Sequence, residues 1–199
     1  MSGFDEILEF WLGDEPLTPT IVERLKPTWF AADKKLNDTI RERFEPEYRL
    51  AKAGDSDLWC ASARGRLALI LLLDPFARRM FEGTSEMFSA DRKALSLCRE
   101  GISEGADRAL GSIERAFFYQ PLAHAEEQNA QLASVRLYTK LVDDGVAELR
   151  PMLQKFLKLA KQHQDAIKRF ERFPQRNESM HRESTSEERQ YLRTPSSRF

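Results

Sequence analysis

Apolar residues recur at every third or fourth position along most of the chain, and no segment alternates apolar and polar residues as a β-strand does. This pattern predicts an all-α protein. The short connections between helices favour antiparallel hairpins, followed by an ordered C-terminal loop and a short final helix. The helices are expected over residues 5–12, from 18 onward, and over 32–53 (with a break at Pro46), 62–73, 76–81, 85–102, 107–127, 128–142, 151–170 and 185–192.

The helix over residues 62–73 is apolar almost all round, which predicts burial on most of its sides. Asp74 and Pro75 follow it directly. Aspartate is a good N-cap and proline suits the first helical turn, so one interpretation is that Asp74 caps a new helix. The functional alternative pairs Asp74 with Arg78 or a loop arginine inside a cleft. The residue types alone leave both alternatives open.

The charge balance and the absence of targeting signals narrow the class of protein. Lysine and arginine number 31 against 32 aspartate and glutamate residues, so no net field draws the chain to nucleic acid or anionic lipid. The longest apolar run, residues 67–73, is too short to span a bilayer, and the N-terminus lacks the features of a signal peptide. Cys60 and Cys98 form no CxxC pair. We therefore expect a cytoplasmic protein with one domain over residues 1–199, without nucleic-acid or membrane partners.

Two histidines are candidates for chemistry. His163 belongs to the apolar stripe of the helix over 151–170 and is expected to point inward. It is either a core histidine bonded to a carbonyl or an acid, base or ligand in a pocket. His124 follows a kink or break expected at Pro121, and Glu127 lies three residues further on, so we expect both to face one ligand. No HExxH pattern is present, and we predict neither a metal nor another cofactor.

The segment after residue 170 is rich in arginine and contains no glycine. Pro174 forces a loop that carries Arg172, Arg176, Asn177 and Arg182. One interpretation is structural: the guanidinium groups cap helix ends and bind carboxylates, which would lock the C-terminal segment in place. The other is a site for a carboxylate or phosphate group, for which Asn177 would supply a further donor. At the end of the chain, Thr185 with a glutamate three residues later predicts a capping box.

Several stretches are together specific for a family, namely residues 7–14, 29–30, 65–74, 81–84, 114–124, 169–177, 182–185 and 196–199. Through them the chain resembles, over nearly its whole length, the uncharacterised bacterial domain-of-unknown-function family 924. The resemblance implies an all-α fold similar to tetratricopeptide repeats, and it implies no established reaction.

The chain departs from the pattern of that family in two places. Members usually read Asp-Gln-Phe-Pro-Arg-Asn where this chain reads Asp-Pro-Phe-Ala-Arg-Arg over residues 74–79. They usually read Phe-Pro-His-Arg-Asn where this chain reads Phe-Pro-Gln-Arg-Asn over residues 173–177. If a loop histidine does chemistry in relatives, Gln175 does not replace it as a proton carrier, although it still donates and accepts hydrogen bonds.

These observations lead to a hypothesis of function with two alternatives. We expect a binding domain in which Arg172, Arg176, Asn177 and His124 recognise an anionic group of a small molecule or peptide. The first alternative is a cofactor-free or metal-assisted enzyme acting on a small anionic substrate, with His124 and His163 handling protons. The second is a scaffold that forms a homodimer or binds a protein partner through an exposed apolar helix face. The binding domain and the enzyme both require that Asp74, both histidines and Arg176 line one pocket.

Overall fold

The computed structural model describes residues 3–197, with the side chain of Ser196 excepted. Within that range the chain is helical and has no β-strand, which confirms the predicted all-α class. The α-helices are α1 (Asp5–Leu12), α2 (Pro19–Phe30), α3 (Lys34–Ala53), α4 (Ala63–Leu71), α5 (Ala77–Met80), α6 (Asp91–Glu104), α7 (Ser112–Phe118), α8 (Gln120–His124), α9 (Gln128–Asp144), α10 (Arg150–Phe170) and α11 (Ser186–Tyr191). Short 3-10 turns lie at Asp57–Ala61, Ser85–Phe88, Ala106–Ala109, Ala147–Leu149, Pro174–Arg176 and Pro195–Ser197.

Helix α4 lies at the centre of the core because its sequence has almost no polar face. Every residue from Leu67 to Leu73 is fully buried. α1, α6 and α7 pack around α4, and α3 packs on the segment that continues it. Each fully buried leucine contributes about 1.5–3 kcal/mol relative to an exposed one. The predicted burial on most sides is confirmed.

The expectation that Asp74 caps a new helix is wrong. α4 continues through a π-helical turn at Leu72–Phe76 directly into α5, and the residues at both junctions have right-handed helical backbone angles. Pro75 fits this turn because the regular hydrogen-bond ladder is already interrupted there, so the missing N–H of proline costs less. The side chain of Asp74 makes no capping hydrogen bond. It is instead buried among side chains from distant parts of the chain.

A helix break is also predicted at Pro46 and at Pro121, and the structure confirms only the second. Pro46 does not break α3, which runs uninterrupted through it. Packing of the apolar face of a helix can outweigh the poor local propensity of one residue. The predicted break near Pro121 is confirmed, and the expected helix over residues 107–127 is divided into α7 and α8, with Tyr119 at the junction. Pro121 lies in the first turn of α8, where no helical partner for an N–H is lost, and His124 ends that helix.

Helices α9 and α10 form the predicted antiparallel hairpin. Tyr138 stacks on Phe156 with the ring centroids 6.0 Å apart and the planes inclined by 3°. Closer to the connection, a Cβ atom added to Gly145 would lie 2.6 Å from the carbonyl oxygen of Leu141, so the backbone approach there requires glycine. The apolar stripe of α10 faces inward and includes His163, as predicted. Packing of the whole chain as a tetratricopeptide-like array stays a prediction.

The C-terminal loop, residues 171–185, leads from α10 into the short final helix α11. The capping box is confirmed: Glu188 N–H donates to Thr185 Oγ1 at 3.1 Å, and Thr185 N–H donates to Glu188 Oε2 at 2.7 Å. No helix within residues 3–197 has both the length and the apolar character that crossing a bilayer requires. The single domain over 1–199 stays a prediction, and residues 198 and 199 of the last matching stretch lie outside the described residues.

Candidate functional site

A cavity of about 540 Å³ opens between the N-terminal helices, the segment after α4, α8, α10 and the C-terminal loop. The side chains that line it form an aromatic group and a polar group, and contacts connect the members within each group. The aromatic end is formed by Trp11, Trp29, Phe30 and Phe117. The polar end is formed by Arg78, His124, His163 and Arg176.

The buried carboxylate of Asp74 orients the ring of His124 at the polar end. His124 Nδ1 lies 2.7 Å from Asp74 Oδ1 and 2.9 Å from Oδ2, and Arg78 Nη1 lies 3.3 Å from Oδ1. Burial acts to raise the pKa of Asp74, but Arg78 and His124 outweigh it and hold that pKa below its ordinary value. The ionised carboxylate therefore accepts the Nδ1–H of His124. Nε2 is the ring nitrogen that this contact leaves for a ligand.

The surroundings lower the pKa of both histidines. Burial lowers the pKa of His124, and the charge of Arg78 adds to this effect against the opposing charge of Asp74. The pKa of His163 lies well below its ordinary value, first through burial and then through the charges of His124 and Arg176. The two rings meet edge to face with centroids 5.5 Å apart. With Nδ1 of His124 bound to Asp74, its Nε2 carries the lone pair and acts as a hydrogen-bond acceptor or a base.

Two guanidinium groups share one carboxylate. Arg78 donates to Asp91 Oδ1 and Oδ2 at 2.9 and 3.0 Å, and Arg176 Nη1 donates to the same Oδ2 at 3.0 Å. Burial acts to lower the pKa of Arg78, but the charges of Asp74 and Asp91 outweigh it and raise that pKa. For Arg176, burial and the neighbouring charge of Arg78 prevail, and they lower its pKa to about 10. Arg176 is therefore the less compensated cation of the pair.

The guanidinium of Arg176 is held in a fixed position. It lies over the rings of Phe88 and Phe173, with its central carbon 4.6 Å from each centroid. Its Nη2 donates to the carbonyl oxygen of His124 at 2.7 Å, and only 10% of the side chain is exposed. A planar cation stacked in this way is preorganised, so little side-chain entropy remains to be lost when it binds a ligand.

The C-terminal loop is anchored beside the cavity by Glu126. Arg182 donates to both oxygens of this carboxylate at 2.7 and 3.0 Å, and the Phe173 N–H donates to Oε1 at 2.7 Å. Burial acts to raise the pKa of Glu126, but the hydrogen bonds from Arg182 and Phe173 outweigh it and lower that pKa. This anchor ties the loop at Phe173 to the segment that follows α8, close to the cavity that Arg176 lines.

Two of the predicted site residues stabilise the C-terminal segment instead of lining the cavity. Arg172 donates to both oxygens of Glu188 at 2.6 and 2.8 Å, which ties the loop to α11. Asn177 is buried and donates to Ser184 Oγ at 3.0 Å within the loop. For these two residues the geometry favours the structural interpretation given above.

The expectation that Glu127 faces one ligand with His124 is wrong. α8 ends at His124 and the backbone is extended at Ala125 and Glu127, so the two side chains do not share a helix face. Glu127 lies on the surface and pairs with Arg99 at 2.6 Å. The three-residue spacing brings side chains together only inside a continuous helix.

Several residues of the site were not predicted from the sequence. Asp91 begins α6 and binds both arginines, and Glu126 anchors the loop, but neither has a local signal for this role. Gln120 also lines the cavity, and its spacing of four residues from His124 is a signal that could have revealed it. Within residues 3–197, no three His, Cys, Asp or Glu side chains are grouped so as to hold a metal ion.

Comparisons with known proteins agree with the resemblance seen in the sequence. The family model described as bacterial protein of unknown function, DUF924, matches residues 7–196. The solved structure of a protein of unknown function from Agrobacterium tumefaciens is 34% identical in sequence, with 96% of each chain covered and a TM-score of 0.76. No curated protein matches the chain. This protein therefore belongs to the DUF924 family of bacterial proteins of unknown function.

Proposed function

We propose that the protein binds a small molecule whose anionic group lies against Arg176 at the polar end of the cavity. The observation that carries this proposal is the shared carboxylate, because Arg78 takes both oxygens of Asp91 and Arg176 has only one of them. A carboxylate or phosphate of a ligand would give Arg176 an anionic partner of its own. A guanidinium has more N–H donors than the two that Arg176 uses here.

The surroundings of Arg176 strengthen such a contact. Burial and the charge of Arg78 lower the pKa of Arg176. An anion beside Arg176 would stabilise its charged form, and the charged form would in turn bind the anion more tightly. Charge-assisted hydrogen bonds are stronger where water is excluded. The stacking on Phe88 and Phe173 keeps the donors in place before the ligand arrives.

The size of the cavity favours a small molecule over a peptide. Its volume of about 540 Å³ lies within the range of about 300–1,000 Å³ that is typical of small-molecule sites. The aromatic end would pack on an apolar or aromatic part of the ligand. We therefore assign the ligand to the class of small organic anions.

The test is a thermal-shift measurement at pH 7 with benzoate and with phenyl phosphate. At a ligand concentration about 100 times Kd, binding stabilises the folded state by about 2.7 kcal/mol, which raises Tm by about 5–10 °C for a chain of this size. Arg176→Gln is expected to abolish the rise relative to its own ligand-free Tm. Arg99→Gln removes a guanidinium outside the cavity and is expected to keep it. Unchanged Tm with both anions, or equal rises in both variants, would contradict the proposal.

The contact between Asp74 and His124 favours a second candidate, an enzyme acting on a small anionic substrate. His124 Nε2 would take a proton from water as the hydroxide adds to an ester carbonyl, and the proton would then leave with the alcohol. The probe is mono-(4-nitrophenyl) succinate, which joins a carboxylate to an activated ester. His124→Gln is expected to remove the nitrophenol release that depends on the protein, whereas His181→Gln, at an exposed histidine, keeps it. Equal release by both variants would exclude this role.

The contacts around the cavity do not bear on three further expectations from the sequence. The cytoplasmic location, the homodimer and the lack of nucleic-acid or membrane partners stay predictions. Light scattering over a range of protein concentrations would test the homodimer directly.

A further inference from the structure

Some polar atoms of the residues that line the cavity take no part in binding an anion at Arg176. Trp11 is 2% exposed, and no residue within 3–197 accepts the hydrogen bond of its buried Nε1–H. Gln120 and Gln175 also line the cavity, and the Oε1 atom of each is buried without a partner in the same described range. Nearly all buried polar groups in folded proteins are hydrogen-bonded, so these atoms point to a ligand with matching groups.

The second indole of the cavity provides a contrast. Trp29 also lines the aromatic end, but its Nε1–H donates to the carbonyl oxygen of Trp11 at 2.8 Å. The N–H of Trp29 is therefore already used, whereas that of Trp11 is buried and has no acceptor within residues 3–197.

Residues of α7 and α8 connect the two ends of the cavity. Arg176 binds the carbonyl of His124, and Gln120 lies four residues before His124 on the same face of α8. At a rise of about 1.5 Å per residue, Gln120 and His124 are about 6 Å apart along the axis of α8. Phe117, in α7, contacts Trp11 with the ring centroids 5.9 Å apart.

We propose that the ligand is an aromatic carboxylic acid with a neutral amide group at the end opposite the carboxylate. The carboxylate lies against Arg176, the ring packs between the aromatic side chains, and the amide carbonyl accepts the Nε1–H of Trp11. The amide N–H faces the side-chain oxygen of Gln120. This inference rests on the proposed function for the position of the carboxylate, and it adds the chemical class of the rest of the ligand.

Three compounds separate the contributions of the two ends. 4-Acetamidobenzoate has both groups, 4-isobutylbenzoate replaces the acetamido group with an apolar group of similar size and the same branching, and 4-methylacetanilide keeps the amide and lacks the carboxylate. The measurement is Kd by isothermal titration calorimetry. We expect the wild-type protein to bind 4-acetamidobenzoate about tenfold more tightly than 4-isobutylbenzoate, since the latter leaves the Trp11 N–H unbonded.

Two matched variants locate the contact. Trp11→Phe removes the available N–H, so the ratio between the two benzoates is expected to fall to about one. Trp29→Phe makes the same chemical change in the same cavity, at an N–H that the protein already uses, and is expected to keep the wild-type ratio. Equal affinities of the two benzoates for the wild-type protein, or equal losses of the ratio in both variants, would overturn the inference. The wild-type ratio suffices if a variant does not fold.

The three compounds also distinguish this inference from the proposed function. If the two benzoates bind equally well and 4-methylacetanilide does not bind, the amide contact is overturned and the anion site stands. If 4-methylacetanilide binds as tightly as 4-acetamidobenzoate, the anion site is overturned and the amide contact stands. Failure of all three to bind would overturn both.

Discussion

Replacing Asp74 by asparagine would remove a buried negative charge from the polar end and keep the shape of the side chain. The carboxylate is fully buried, with His124 at 2.7 Å and Arg78 at 3.3 Å. Asparagine can still accept the Nδ1–H of His124 through its oxygen. The oxygen that lies closest to His124 also lies 3.3 Å from Arg78 Nη1, so the exchange can keep a polar contact there but removes the charge that compensates Arg78.

The loss of stability depends on the hydrogen bonds that Arg78 keeps. Breaking a buried ion pair by removing one partner costs about 3–5 kcal/mol, mostly because the other charge is left without compensation. Arg78 keeps both hydrogen bonds to Asp91, so we expect the lower end of that range, about 3 kcal/mol. For a chain of 199 residues, this corresponds to a decrease in Tm of about 6–12 °C.

The assay is urea unfolding at pH 7, followed by circular dichroism, for Asp74→Asn and the wild-type protein. Because the folded-state pKa of Asp74 is lowered, its contribution to stability is full above the ordinary carboxyl pKa of about 4 and is lost as the pH falls through the folded-state pKa. Asp57→Asn, which breaks a more exposed pair with Lys93, is the control and is expected to change stability by about 0.5 kcal/mol or less. A loss below about 1 kcal/mol for Asp74→Asn would refute the reasoning.

Three further predictions concern stability. Because burial lowers the pKa of His163, its contribution to stability is present above about pH 6.5 and is lost as the pH falls toward the folded-state pKa, so His163→Gln should flatten the decline of Tm between about pH 7 and 5. Thr185→Ala removes the capping box and should cost about 1 kcal/mol in urea unfolding. Gly101→Ala would place a Cβ atom 2.5 Å from Phe118 Cζ and 2.6 Å from Arg66 Cδ, and calorimetry should show a lower Tm for a cost of about 1–3 kcal/mol; an unchanged Tm would mean that α6 shifts freely.

Sequence patterns were sufficient where the cause of the structure is local. A helix is predicted from residue 18 onward, and α2 begins at Pro19 with Thr18 Oγ1 accepting the Ile21 N–H at 3.4 Å. Thr185 predicted the start of α11 in the same way. A helix start depends on side chains within one turn, so a short motif contains the required information. The same rule failed at Asp74, because burial of the adjoining leucines determines the path of the backbone there and continues the helix.

By itself, the sequence determined the all-α class, the inward position of His163 and the membership of the DUF924 family. Only the tertiary structure decided which carboxylate each arginine binds. Arg176 binds Asp91, which lies 85 positions away in the chain, while Arg172, four residues before it, binds Glu188. Helical periodicity is a property of neighbouring residues, but any guanidinium can pair with any carboxylate, and the packing of the whole core sets which of them meet.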